Sequence, residues 1–216
     1  KPLKKKEQAQ EPQVKIEEVS HETESIEEHA NVLFKPNEGP QTDFLAASER
    51  EVLYGGSAGG GKSYAMLADP LRYMGHPSFS GLLLRHTTEE LRELIFKSQE
   101  LYPKIWKGIK WSERKMQWTA PSGARLWMSY LDRDEDVLRY QGLAFSWIGF
   151  DELTQWATPY AWNYMRSRLR STAPDLPIFM RATTNPGGRG HAWVKKMFID
   201  PSAYGKAFDA TNIETG

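Results

Sequence analysis

The stretch YGGSAGGGKSYAM, residues 54–66, decides the fold of this chain. Five glycines fall within positions 54–61, and a lysine and a serine follow them. Because glycine loses more backbone freedom on folding than any other residue, so dense a cluster indicates a backbone that approaches a ligand closely or turns through left-handed angles. Residues 56–63, GSAGGGKS, fit the pattern G-x-x-x-x-G-K-[ST], between a predicted strand at residues 51–54 and a predicted helix. The pattern predicts a phosphate-binding loop.

The chemistry of such a loop assigns a role to each part of it. Glycines let consecutive backbone N–H groups point inward around a phosphate, and the following helix adds a favourable field. Lys62 is predicted to reach the β- and γ-phosphates of ATP, and the Ser63 hydroxyl to ligate Mg²⁺. The predicted nucleotide-binding residues of the loop are Gly56, Ser57, Ala58, Gly59, Gly60, Gly61, Lys62, Ser63 and Tyr64.

Two acidic residues end a second apolar strand, WIGFDE, at residues 147–152. Asp151 is predicted to hold Mg²⁺ through water, and Glu152 to act as the general base that activates the attacking water. An Asp-Glu pair alone fits a solvated loop or a helix N-terminus as well, and the glycine loop favours the catalytic interpretation. A third apolar strand runs into RATTNPGG at residues 181–188, where a polar side chain can sense the γ-phosphate, although an Asn-Pro turn is the plain alternative.

The composition is typical of a globular protein without cysteine chemistry or a net charge. The chain has 216 residues, about 39% of them apolar, which suits one globular domain with a tail. It has no cysteine, which excludes disulfides and thiolate metal sites, and its formal net charge is zero. Since no overall basic field exists, any DNA contact must come from a local patch. No secretory leader or membrane-length apolar run is visible in the sequence.

Apolar runs alternate with helical patterns along the globular part of the chain. Strands are predicted at residues 81–85, 145–150 and 178–184, helices at 63–74, 89–101 and 156–169, and a hairpin joins 115–119 to 124–130. A capping box joins Thr87 and Glu90. The predicted fold class is α/β, with a mainly parallel sheet, helices on both faces and an inserted β-hairpin.

The predicted domains are a flexible charged arm at residues 1–36, a P-loop ATPase domain at 37–200 and the start of a linker at 201–216. The arm is rich in Lys, Glu and Gln and poor in aromatic residues, so it is expected to be disordered or, alternatively, to order on a partner subunit.

With these motifs in this order, residues 38–200 resemble the ATPase domain of the large terminase subunit of tailed bacteriophages, the motor that packages viral DNA. The resemblance rests on GGSAGGGKS, LLLRHTTEELREL, WTAPSGARLWMSYL, RYQGLAFSWIGFDE and RATTNPGG. It implies an ASCE-type P-loop fold and Mg²⁺-dependent ATP hydrolysis that drives double-stranded DNA into a procapsid. The implied partners are DNA, the portal protein, the small terminase subunit and further copies of the chain in a ring. The implied location is the host cytoplasm, and the protein is expected to be absent from the mature virion.

The resemblance also implies roles for individual residues. Thr183, Thr184 and Asn185 match the coupling motif of the family, and Gln41 matches a glutamine that reads adenine. Many terminases carry an arginine inside the phosphate loop, where this chain has Ser57, Ala58 and glycines. Either another arginine neutralises the developing charge, or the activity is expected to be low. The candidate is Arg139, reaching a neighbouring subunit, with Arg133 as a weaker rival. Arg85 resembles an arginine that the family often has after this strand, where it is expected either to lie near the nucleotide or to brace the site.

Three further expectations concern DNA, cleavage and alternative functions. DNA phosphates could be contacted by Arg166, Arg168, Arg170, Lys195 and Lys196, although a solvated charged face is the plainer explanation of these residues. The sequence stops before the C-terminal nuclease domain that full-length relatives carry, so no nuclease activity is expected of it. The alternative functions are another DNA-directed ASCE ATPase, such as a helicase, and a nucleotide-binding assembly module that is inactive alone.

Overall fold

A seven-stranded sheet organises the part of the chain that the computed structural model describes, residues 34–57 and 59–209. The order across the sheet is β1-β7-β6-β2-β5-β4-β3, and neighbours among the first five are parallel. The mainly parallel sheet is thus confirmed, and β7 lies between β1 and β6. The strands are β1 Glu51–Gly55, β2 Ser80–Arg85, β3 Lys110–Ser112, β4 Gln117–Thr119, β5 Arg125–Tyr130, β6 Trp147–Phe150 and β7 Phe179–Thr184.

Helices cover both faces of this sheet, as predicted. They are α1 Pro40–Ala46, α2 Lys62–Ala68, α3 Thr88–Ile105, α4 Tyr160–Arg166 and α5 His191–Val194, with 3₁₀ turns at Asp69–Tyr73, Asp134–Tyr140 and Leu153–Gln155 and a π-helical turn at Lys195–Ile199. Alternate strand residues separate two apolar cores. Leu83 faces one core with α2 and α3, whereas Leu82 and Leu84 face the other with α4 and α5. This alternation is the two-residue repeat of a strand that is buried on both faces.

The hairpin and the start of α3 lie where the sequence predicted them. β4 and β5 pair antiparallel around residues 121–123, and β3 adds a short third strand that was not predicted. The Thr87 hydroxyl caps α3 by accepting a hydrogen bond from the Glu90 N–H at 3.3 Å.

Two predicted helices are interrupted. The helix predicted at 63–74 is α-helical only to Ala68 and continues as a 3₁₀ turn, because Pro70 has no N–H to donate back along an α-helix. The helix predicted at 156–169 starts only at Tyr160, because Pro159 stands at its N-cap after the 3₁₀ turn.

Parts of the predicted domain scheme lie outside the described residues. These are residues 1–33 of the arm, residues 210–216 of the linker, and Ala58 in the phosphate loop. Residues 201–209 form turns and irregular backbone. No helix in the described part of the chain has the length and apolar character that a bilayer crossing requires.

Candidate active site

The phosphate loop leaves β1 and runs into α2, with glycines where the backbone demands them. Gly59 and Gly61 adopt φ of 86° and 70°, in the left-handed region that favours glycine. Lys62, buried at the start of α2, donates from Nζ to the carbonyls of Gly56 at 3.1 Å and Ser57 at 2.6 Å. The ammonium group therefore lies inside the curve of the loop, where it contacts two loop carbonyls.

Two side chains outside the loop hold its backbone in place. The Tyr54 hydroxyl donates to the Gly60 carbonyl at 2.5 Å. Gln41 is only 3% exposed, and its Nε2 donates to the Gly61 carbonyl at 2.8 Å while its Oε1 accepts from the Asn37 N–H at 2.6 Å. The structure thus brings Gln41 to the loop itself, and adenine reading by Gln41 stays a prediction. The role of Tyr54 was not predicted, because an aromatic residue at a strand end gives no signal of its contact.

Asp151 follows β6 and lies fully buried beside the loop. Its Oδ1 accepts a hydrogen bond from the Thr183 hydroxyl, and its Oδ2 lies 3.5 Å from the Ser63 Oγ, which donates to it. Burial raises the pKa of Asp151, while the Arg85 charge and the Thr183 hydrogen bond act in the opposite direction.

The Ser63 hydroxyl and the Asp151 carboxylate fit the predicted Mg²⁺. Both are hard oxygen donors, and Mg²⁺ typically binds through one or two protein oxygens together with phosphates and water. Within the residues that the structure describes, no three His, Cys, Asp or Glu side chains converge on a point. The Ser63 and Asp151 oxygens are therefore the donors at this site that would hold the metal.

Glu152 has an unusual backbone, with φ 63° and ψ 54°. Its carboxylate accepts two contacts from the Asn185 Nδ2, at 2.8 Å and 3.0 Å. Its N–H donates to the Thr183 hydroxyl at 3.0 Å. Burial is the main cause that raises the pKa of Glu152, and the charge of the neighbouring Asp151 raises it further. A half-buried carboxylate with a raised pKa next to a phosphate loop can accept a proton from water.

The three residues of the predicted coupling motif all lie at the site. Thr183 touches both acidic residues, and Asn185 holds Glu152. Thr184 donates to the Thr154 hydroxyl at 2.9 Å, in the 3₁₀ turn after Glu152. Thr154 was missed from the sequence, because nothing in LTQW distinguishes it before the turn is known.

The predicted arginines lie elsewhere or have other partners. The Arg139 side chain is exposed and donates to the carbonyls of Asp136 at 3.1 Å and Tyr130 at 2.7 Å, at the end of β5. These contacts are to its own surroundings and not to the phosphate loop. Arg133 is also exposed, at the start of the same segment.

The residues considered for DNA do not form one set. Arg166 is bidentate to Glu51, at 2.7 Å and 2.9 Å, and so joins α4 to β1. Lys195 pairs with Asp200. Arg168 stacks over the Tyr164 ring, and Arg170 and Lys196 are exposed. Because α4 ends at Arg166, the helix does not carry the three arginines together.

Comparison with known proteins shows the family of this chain. A family model described as phage terminase large subunit matches residues 48–215. None of the curated proteins with which the sequence was compared matches it.

Solved structures share the fold at low identity. The large terminase of a thermophilic bacteriophage is 17% identical with a TM-score of 0.60, over 77% of this chain and 43% of that protein. The large terminase ATPase domain of Thermus phage P74-26 is 13% identical with a TM-score of 0.53, over 76% of this chain and 70% of the domain. The HK97 bacteriophage large terminase is 11% identical with a TM-score of 0.51, over 69% of this chain and 33% of that protein. The chain spans less than half of the first of these terminases, and it belongs to the phage terminase large subunit family.

Proposed function

We propose that this chain is an Mg²⁺-dependent ATPase that powers translocation of double-stranded viral DNA into a procapsid. The observation that carries the proposal is the convergence of four side chains at the carboxyl ends of β1 and β6. Lys62 and Ser63 follow β1, and Asp151 and Glu152 follow β6, with the Ser63 hydroxyl 3.5 Å from Asp151. Phosphate binding, metal binding and base catalysis thus share one edge of the sheet.

Each side chain has a separate part in the reaction. Lys62 and the loop N–H groups bind the phosphates, and Ser63 and Asp151 hold the metal, which neutralises phosphate charge when it is bound. Glu152 orients water and takes its proton. Asn185 fixes the Glu152 carboxylate through one amide nitrogen, and Thr183 joins the two acidic residues. Movement of β7 would therefore reposition the base, which gives a physical form to the coupling role of residues 183–185.

The packaging role and its partners are inferred from the family. The match to phage terminase large subunits favours a packaging motor over a helicase. The proposed partners are double-stranded DNA, the portal protein, the small terminase subunit and other copies of the chain in a ring. The proposed location is the host cytoplasm.

Arg139 is the proposed finger that completes the site of a neighbouring subunit. The support is its exposure at the carboxyl edge of the sheet, next to the exposed Leu138, together with the lack of an arginine among the described loop residues. An arginine finger contributes roughly 10³- to 10⁵-fold to turnover in enzymes that use one.

The test is ATP turnover per subunit over a range of protein concentrations. We expect turnover to rise with concentration, Arg139→Ala to abolish the rise, and the matched Arg133→Ala to leave it unchanged. Glu152→Ala should bind ATP and lose at least about 100-fold in turnover, whereas Lys62→Ala should weaken binding as well. Hydrolysis by Glu152→Ala at the parent rate would show that the base is another residue. A rate that is flat with concentration and independent of Arg139 would show that the finger acts elsewhere.

A further inference from the structure

Two carbonyls of the phosphate loop are held by side chains to which the proposed reaction gives no part. The Tyr54 hydroxyl donates to the Gly60 carbonyl at 2.5 Å, and the Gln41 amide donates to the Gly61 carbonyl at 2.8 Å. Both side chains are buried. The two contacts fall on consecutive peptide groups, which join residue 60 to 61 and residue 61 to 62.

These two peptide groups need an external constraint, because both adjoin Gly61. Glycine adopts left-handed and right-handed backbone about equally readily, so a peptide group beside it can flip over at little cost. A flipped peptide would present its carbonyl oxygen, and not its N–H group, to a bound phosphate. The carbonyl dipole would then repel the negative charge. A glycine-rich loop therefore binds phosphate well only if its peptide groups are held in one orientation.

The hydrogen bonds to the two carbonyls fix the direction of two N–H groups. In a planar trans peptide the C=O and N–H bonds point to opposite sides, and both of these peptides are trans. The Gly61 N–H is thus directed away from the Tyr54 hydroxyl, and the Lys62 N–H away from the Gln41 amide. Consecutive backbone N–H groups are what a phosphate loop offers to an anion.

The surroundings of Tyr54 and Gln41 hold both side chains in place. The centroid of the Tyr54 ring lies 5.4 Å from that of the Phe44 ring, on α1. The Gln41 Oε1 accepts from the Asn37 N–H at 2.6 Å, so both ends of the amide are bonded. A Cβ at Gly61 would stand 2.6 Å from the Gln41 Nε2, so glycine is what leaves room for this contact. A buried amide that is bonded at both ends is better placed to support the loop than to read a base.

We propose that Tyr54 and Gln41 are positioning residues that orient the Gly61 and Lys62 N–H groups toward the phosphates of the nucleotide. This inference rests on the proposed ATPase function and gives Gln41 a different role from adenine reading. A residue that orients the loop acts on the phosphate part of the ligand alone. Its removal therefore weakens the binding of inorganic tripolyphosphate, which has neither base nor ribose, as much as the binding of a nucleotide.

The experiment compares a nucleotide with its phosphate part. The affinity of AMP-PNP is measured by calorimetric titration in Mg²⁺ buffer, and that of tripolyphosphate by displacement of fluorescent AMP-PNP. Tyr54→Phe removes only the hydroxyl, and Gln41→Met keeps the length of the side chain but removes the donor. Tyr102→Phe is the matched control, because the buried Tyr102 hydroxyl also donates to a carbonyl, that of Leu67 at 2.9 Å, at the far end of α2 from the loop.

We expect Tyr54→Phe and Gln41→Met each to lower both affinities by roughly 3- to 10-fold, the worth of about one hydrogen bond, with the ratio between the two ligands unchanged. Tyr102→Phe should lower the melting temperature but neither affinity. If Gln41→Met does not fold, Tyr54→Phe decides the question.

Three results would overturn the proposal. A loss confined to AMP-PNP would assign the side chain to the base, and an equal loss in Tyr102→Phe would reveal a general effect of stability. A wild-type chain from which tripolyphosphate displaces no AMP-PNP would show that the loop does not bind by the phosphates alone. A wild-type chain that binds neither ligand would refute the ATPase function, whereas normal binding that is unaffected by Tyr54 and Gln41 would refute this inference alone.

Discussion

The left-handed backbone of Glu152 makes a prediction about stability that does not depend on catalysis. Among the described residues, only Met116 and Glu152 combine a side chain with a positive φ. A residue with a Cβ costs about 1–2 kcal/mol in this region, and glycine does not. Replacing Glu152 by glycine should therefore relieve strain that replacement by alanine retains.

The expected size follows from two opposing terms. Glycine gains about 1–2 kcal/mol from the backbone at φ 63°. The glycine variant loses about 0.5–1 kcal/mol because its unfolded state is more flexible than that of the alanine variant. With the midpoint of each range, the net advantage of Glu152→Gly over Glu152→Ala is about 0.75 kcal/mol. For a chain of 216 residues that raises the melting temperature by about 1–4 °C.

The assay is thermal unfolding of the two variants without nucleotide, so that binding does not add to stability. Both variants lose the same carboxylate contacts to Asn185, and their difference therefore isolates the backbone. Ala157→Gly, at an exposed position without a positive φ, is the control and should lower stability. If Glu152→Gly melts at or below Glu152→Ala, Glu152 is not left-handed in solution and the reasoning is wrong.

Three further predictions concern stability and pH. Arg181→Met removes a buried guanidinium that donates to the carbonyls of Ala47 and Glu49 and pairs with Asp69. Denaturant unfolding should show that the free energy of unfolding falls by about 3 kcal/mol, whereas Arg114→Met, at an exposed position, should lower it by about 0.5 kcal/mol or less. Gly149→Ala would place a Cβ 2.3 Å from the Trp147 ring and 2.8 Å from the Met66 sulfur, so it should cost about 1–3 kcal/mol, whereas Gly55→Ala meets its nearest atom only at 3.8 Å and should cost less. The pKa of Glu152 in the folded chain is raised, mainly by burial and further by the Asp151 charge. Between the ordinary glutamate pKa and this raised pKa, the folded chain keeps a proton that the unfolded chain has lost. The stability of the wild-type chain therefore falls as pH rises through that range. Melting curves of Glu152→Gln against pH should therefore show a growing advantage for the variant that levels off above that range, and a constant difference would contradict the shift.

The sequence was sufficient for the parts of the fold that depend on local pattern. The glycine loop, the two acidic residues and the strand before Asn185 each have a recognisable residue pattern, and the parallel sheet follows from alternating strands and helices. Helix lengths were less predictable, because Pro70 and Pro159 each change the backbone within a continuous apolar pattern. α1 and β3 were missed because each is too short for a clear period.

Long-range side-chain contacts were beyond the sequence for a different reason. The local sequence places Arg85 and Arg181 in predicted strands and Arg139 in no predicted element, but it does not show that the first two are buried, that Arg139 is exposed, or what each side chain contacts. Their environments are set by strand order, since β2 adjoins β6 and β7 lies between β1 and β6. The contact between Asn185 and Glu152 likewise depends on the register that pairs Phe150 with Ala182.

The same register constrains how the proposed hydrolysis could be coupled to movement. Because Phe150 is opposite Ala182, Asp151 and Glu152 leave the sheet beside Thr183 and Thr184, and β7 also pairs with β1 next to the phosphate loop. The Thr183 hydroxyl donates to Asp151 and accepts from the Glu152 N–H, so the backbone at these two acidic residues is tied to β7. The Asn185 amide is the contact that can open alone, since it holds only the Glu152 carboxylate and lies shortly before two glycines with φ of 90° and 85°. A change that rotates Asn185 would free the Glu152 carboxylate while Asp151 stays fixed, so the proposed base could be switched without moving the proposed metal donor.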